Sequence, residues 1–114
     1  MTTVEKRKHK RYVVDATCEL NVEQATIKGA LKNISFSGFY MYTRIGLSAF
    51  VGSEVDIKIV ASLDNIDYAI SGKSRIVRSN ADGVGLFFIG MDDNNVNELN
   101  KLILNLRIQE SEKK

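Results

Sequence analysis

Between residues 12 and 88 apolar and polar side chains change places at nearly every step. Ala16, Cys18, Leu20 and Val22 alternate with Thr17, Glu19 and Asn21. Successive side chains of a strand point to opposite faces, so this pattern buries one face and wets the other. Ala25, Ile27, Gly29 and Leu31 repeat it against Thr26, Lys28, Ala30 and Lys32. The short connection Glu23–Gln24 predicts a hairpin between the two. Residues 33–38, Asn-Ile-Ser-Phe-Ser-Gly, are turn chemistry, and the aromatic stretch over 39–43 predicts a third strand. Residues 46–52 read as a loop. Val55, Ile57 and Ile59 against Glu54, Asp56 and Lys58 give a fourth strand. A turn at Asp64-Asn65 leads into a long fifth strand over 66–78, bent at Gly72. After a turn over 80–83, residues 84–89 form the sixth.

The period then changes. Val96, Leu99, Leu102, Ile103 and Leu106 fall on one face of a helix, and Asp92 or Asp93 can cap its start. Each of these apolar side chains is worth roughly 1.5–3 kcal/mol when fully buried, so the helix must dock. A chain of 114 residues with 44% hydrophobic residues builds one core and not two. The fold class that follows is mostly β: a six-stranded antiparallel barrel with a C-terminal helix. Closure removes the edge strands that invite aggregation. We divide the chain into a flexible basic arm over 1–12, the barrel with its helix over 13–109, and a frayed tail over 110–114.

Charge is concentrated in that arm. Lys6, Arg7, Lys8, Lys10 and Arg11 stand against Glu5, a net of +4, while residues 13–114 carry 11 positive and 13 negative charges. Charges so dense repel one another, so the arm alone stays unfolded and awaits an anion or simply solubilises. A single Cys and a single His build neither a disulfide nor a zinc site, so no metal cofactor is expected. No run approaches eighteen apolar residues and no secretory leader is visible, which predicts a cytoplasmic protein with no membrane insertion. Catalytic constellations fail as well. His9 sits between Lys8 and Lys10, and neither phosphate-binding glycine motif occurs. Cys18 falls on the apolar face as a structural thiol. Phe36, Tyr40 and Tyr42 read as packing on the barrel rather than as base platforms.

Two short motifs remain. Arg7 and Arg11 form R-x-x-x-R, and 22 residues after Arg11 comes Asn33-Ile-Ser35-Phe-Ser-Gly38, an N-x-S-x-x-G. Each alone is weak. In this order, with the strand Val84-Gly85-Leu86-Phe87-Phe88 and a closing helix behind them, they resemble the PilZ domain family, from Lys6 to Leu106. The resemblance implies a six-stranded barrel that binds the bacterial second messenger cyclic di-GMP. Carried over position by position, it makes Arg7, Arg11, Asn33, Ser35 and Gly38 the binding residues. Lys6, Lys10 and Arg78 are secondary candidates. Many members have Asp where this chain has Asn33.

The chemistry suits those residues. The ligand carries two phosphodiester charges and two guanines. An arginine fork binds a phosphate or the guanine O6/N7 edge with two bonds, and its plane stacks on a purine. The opposite guanine edge donates two N–H groups. Asp accepts them with two oxygens and Asn33 with only one, which predicts weaker guanine selectivity or affinity. Ser35 can donate to a phosphate, and Gly38 permits a positive φ beside the ligand.

The function expected is therefore a single-domain cyclic di-GMP receptor, not an enzyme. Its arm folds over the ligand to create a surface for a downstream protein, as a monomer or weak dimer. Relatives act on motility, polysaccharide synthesis or pili. A ligand-independent adaptor of the same fold is the alternative, and the intact arginines argue against it. Nucleic-acid binding stands further behind, because it needs a basic groove with aromatic platforms and the barrel body is net negative.

Overall fold

The computed structural model describes residues 9–112; Lys6 and Arg7 lie outside the described residues. Six strands close into one antiparallel barrel. They are β1 (Asp15–Val22), β2 (Ala25–Ile34), β3 (Gly38–Tyr42), β4 (Glu54–Leu63), β5 (Ile66–Asn80) and β6 (Gly83–Gly90). Around the barrel the order is β1-β2-β3-β6-β5-β4, so β3 pairs with β6 across the chain. The helix α1 (Asp93–Glu112) follows, running two residues past Glu110, where the sequence places a frayed tail. No helix among the described residues is long and apolar enough to cross a membrane.

The alternation that predicts the strands also builds the core. Ala16, Cys18, Leu20 and Val22 of β1 are buried and meet the inward residues of β4 and β5. Leu20, Ile34, Met41, Ile59, Ile70 and Ile76 have essentially no exposed surface. Leu99, Leu102, Ile103 and Leu106 of α1 join the same cluster. Val96, expected on that face, is instead 39% exposed because it lies in the first turn of the helix, at the edge of the barrel contact. Asp92 is the cap: its Oδ1 accepts the Asn95 backbone N–H at 2.9 Å. That bond leads the interactions that hold the Asp92 carboxyl below its ordinary value.

The arm residues nearest the barrel are packed onto it. Tyr12 is buried and exchanges two backbone hydrogen bonds with Ile34, at 2.8 and 2.9 Å. The β1–β2 and β4–β5 hairpins turn through two residues each, all four with positive φ: Glu23 and Gln24 (49° and 71°), Asp64 and Asn65 (54° and 64°). This mirror-image turn matches the strand twist. Asp and Asn tolerate it, whereas Glu and Gln carry its steric cost.

Gly38 opens β3 where the strand crosses closest to β6. A Cβ there would stand 2.1 Å from the Leu86 carbonyl oxygen. The glycine is thus demanded by backbone approach. A positive φ is not the reason, since Gly52 is the only glycine with one among the described residues.

Three outcomes follow from this packing. Glu23→Asn with Gln24→Gly should stabilise the protein by roughly 0.5–1 kcal/mol, read from the urea midpoint. Gly38→Ala should destabilise it by about 1–3 kcal/mol or more by the same measurement, because the obstructing atom is backbone. Cys18 is buried, and burial pushes its thiol from 9.0 up to about 12. The thiol should therefore resist a thiol-specific reagent until the chain unfolds. Stability should fall as pH climbs from 9.0, where the unfolded thiol ionises, towards 12.

Candidate functional site

The site forms where strand alternation breaks. In β2 the register shifts between Leu31 and Asn33. Leu31 and Ile34 both face the core, three residues apart, and Lys32 and Asn33 between them both turn outward opposite Tyr40. In β5 the register shifts between Ile76 and Arg78. Ile76 stays in the core while Arg78 is exposed on the outer wall. A bulge that re-aims side chains in this way is a recurring device beside functional sites. A third shift, between Lys73 and Ser74, puts the extra residue, Ile89, in β6, while β5 runs in regular register with β4 through Gly72.

Tyr40 lies between the two bulges. It is only 3% exposed, yet it stands on the outer wall and outside the apolar core cluster. Its hydroxyl donates to Asp82 Oδ1 at 2.6 Å and accepts from Asn80 Nδ2 at 3.2 Å. Burial first, then the Asp82 bond, raises the phenol above its usual value, so it stays protonated as a donor. Gly83 and Gly85 of β6 form the floor. A Cβ on Gly83 would come within 2.7 Å of the Tyr40 ring, and one on Gly85 within 3.1 Å of the Arg78 side chain. The ring and the arginine therefore lie close over two residues that carry no side chain. Lys32 Nζ and Arg78 Cζ each stand 5.4 Å from the centre of the ring.

The arm and the turn complete the site. Arg11 Nη1 donates to Asn33 Oδ1 at 3.1 Å. Arg11, Lys32, Asn33 and Arg78 line one cavity of about 400 Å³. Three cations and a carboxamide, with no carboxylate in the lining, make an anion site that can also offer hydrogen bonds to a base. Next to it His9 packs edge-on against Phe36 of the turn, ring centres 5.6 Å apart, which seats the arm against the N-x-S-x-x-G segment.

The residues named from sequence divide accordingly. Arg11, Asn33 and Arg78 come together in the cavity. Arg7 and Lys6 lie outside the described residues. Lys10 points elsewhere, pairing with Glu110 at the end of α1 and lying over Tyr12. Ser35 is buried inside its turn, where its Oγ accepts from the backbone N–H groups of Ser37 and Gly38 at 3.2 and 3.3 Å. Ser35 and Gly38 thus shape the segment that presents Asn33 and do not line the cavity. Phe36 is half-buried against the core and Tyr42 is 43% exposed.

The sequence alone puts Lys32 on the polar face of a strand, Tyr40 in barrel packing and Gly85 in the sixth strand, and assigns none of them to the site. The signal was present in the parity: Leu31 and Ile34 cannot share the inner face of a regular strand. The spacing Gly-x-Gly was the second signal, since two glycines on one outward face leave room for neighbouring side chains.

The family model of the PilZ domain matches residues 5–105. No curated protein matches the sequence. Among solved structures, Bacillus subtilis MotI/DgrA superposes with a TM-score of 0.76 at 15% identity, covering 97% of this chain and 54% of that one. The PilZ domain of YcgR from Escherichia coli, solved with c-di-GMP, superposes at 0.71 with 12% identity, covering 96% and 97%. The K. pneumonia MrkH–c-di-GMP complex superposes at 0.71 with 17% identity, covering 97% and 57%. The chain spans about half the length of the MotI/DgrA and MrkH chains. Bulged strands, an arginine-bearing arm and the N-x-S-x-x-G turn lie within the matched segment, and this chain belongs to the PilZ domain family.

Proposed function

We propose that this chain is a receptor for cyclic di-GMP, and that it signals by binding rather than by catalysis. The observation that carries the reading is the cavity of Arg11, Lys32, Asn33 and Arg78, cationic and free of carboxylates in its lining, beside the N-x-S-x-x-G turn. Two structural neighbours, YcgR and MrkH, were solved with that ligand. Arg11 binds a phosphate or a guanine edge, and Arg7, the other arginine of R-x-x-x-R, takes the other side. Arg78 stacks on a base or pairs with the second phosphate.

Asn33 sets the balance. Its oxygen already accepts from Arg11. An aspartate here would cancel one positive charge, whereas Asn33 leaves all three cations uncompensated by it. The pocket gains attraction for a dianion and gives up an acceptor for the guanine N–H groups. Ligand binding then folds the arm across the wall and builds a surface of arm, ligand and turn for a downstream protein. Each charge-assisted hydrogen bond contributes roughly 1.5–3 kcal/mol, and ordering the arm costs about 2–5 kcal/mol. A net of about −8 kcal/mol corresponds to a dissociation constant on the order of 1 μM. In this reading the protein works in the cytoplasm as a monomer or weak dimer, with neither nucleic acid nor membrane as a direct partner.

Calorimetric titration of cyclic di-GMP into the whole chain tests the reading. Saturable binding near micromolar is expected, weaker at higher salt because the charges are screened. Arg11→Ala should weaken it by roughly ten- to a hundred-fold, the loss of one or two charge-assisted bonds. Arg7→Ala with Arg11→Ala should abolish measurable heat. Unchanged affinity in the double variant would overturn the arm mechanism, and no heat from the unsubstituted chain would favour the ligand-independent adaptor.

A further inference from the structure

The motif residues leave two groups in this pocket without a role. We propose that Lys32 is a phosphate-binding residue of the cavity, and that Tyr40 is the positioning residue that seats both Lys32 and Arg78 for the anion. The proposal rests on the cyclic dinucleotide reading and assigns it residues that lie outside both motifs.

The backbone makes the first argument. Regular alternation turns Lys32 outward with Lys28 and Ala30, and the bulge at Leu31/Asn33 adds Asn33 to the same face. In a regular strand Asn33 would turn inward. The fold therefore spends a register irregularity that places Asn33 beside this ammonium.

Pairing makes the second argument. Three other cations on the outer wall have carboxylates, Lys28 with Glu19, Lys73 with Asp56 and Arg75 with Glu54, whereas Lys58 forms no ion pair among the described residues. Among the described residues neither Lys32 nor Arg78 forms an ion pair. Both rest instead on the face or rim of one ring, 5.4 Å from its centre. An aromatic quadrupole holds a cation without neutralising it. The carboxylate tied into this cluster is Asp82, and the Tyr40 hydroxyl occupies it at 2.6 Å. The arrangement keeps two like charges close while leaving both available to an incoming anion.

Rigidity makes the third argument. Tyr40 is pinned by two hydrogen bonds at its hydroxyl and by the bare strand beneath its ring. A long lysine on a fixed seat loses less freedom on binding than one in open solvent. Lys32 then moves only from the ring to a phosphate oxygen, and Arg78 does the same from the other strand.

The test is calorimetric titration of cyclic di-GMP into the full chain and into Lys32→Ala, Lys32→Arg, Tyr40→Phe and Tyr40→Leu, each at low and high salt. Lys32→Ala should bind roughly ten-fold more weakly and lose part of the salt dependence, as expected for one lost phosphate contact. Lys32→Arg should restore both. Tyr40→Phe keeps the ring but frees Asp82 and loses both bonds that pin it, so it should bind more weakly than the unsubstituted chain and more tightly than Tyr40→Leu. Tyr40→Leu should weaken binding at least as much as Lys32→Ala, and adding Lys32→Ala to it should cost little more, since the seat is already lost. Lys32 is exposed, so its variants keep the fold, and thermal melting checks the Tyr40 pair. If Lys32→Ala keeps full affinity and full salt dependence while Arg11→Ala loses binding, Lys32 is not a ligand residue and this assignment is overturned alone. If the unsubstituted chain binds no cyclic di-GMP, the site reading itself falls and takes the assignment with it.

Discussion

A closed barrel has one interior, and every strand must send alternate side chains into it. That demand fixes the register of all six strands at once. Leu20, Ile34, Ile59, Ile70, Ile76 and Leu86 meet it with almost no exposed surface. A strand can present two neighbouring side chains outward only by inserting a residue. β2 and β5 do so, on the two strands that flank the β3–β6 pair. The candidate site is the stretch of wall between these insertions. Its position is therefore a consequence of how the core closes.

The same closure explains the glycines. β3 and β6 come so near at Gly38 that a methyl group would collide with the Leu86 carbonyl. On the outer face, Gly83 and Gly85 leave a trough into which Tyr40 and Arg78 fold. A trough of this kind lets flat, delocalised groups lie parallel to the sheet. Such groups suit a purine, which offers two faces and polar edges. Ser35 acts one step back, holding the turn so that Asn33 and the first residues of β3 keep their places.

Electrostatics gives the wall its direction. Arg11, Lys32 and Arg78 repel one another around one cavity, and hydration and the Tyr40 ring partly offset this. In the proposed function a dianion offsets this repulsion and adds hydrogen bonds in the same step. The arm enters at the same point: His9 lies on Phe36, Lys10 reaches Glu110 and Arg11 reaches Asn33. Three consecutive residues of one short segment touch the turn, the helix and the cavity.

The sequence by itself determined the elements. Period two over the barrel and period 3.6 over α1 are local properties, set by which face each side chain takes. The hairpin at Glu23–Gln24, the cap at Asp92, the buried Cys18 and the basic arm were legible for the same reason. Arg11 and Asn33 were legible through their motifs, and Arg78 through its strand. Tertiary structure alone decided what stood beside them. It pressed Gly38 against the Leu86 carbonyl and buried the Ser35 hydroxyl inside its turn. It sent Lys10 to α1, brought Lys32 into the cavity and set Tyr40 beneath Lys32 and Arg78. Those outcomes depend on register between strands far apart in the chain, where one inserted residue reverses the face of every side chain that follows. No pattern within a single strand specifies which neighbour that reversed face will meet.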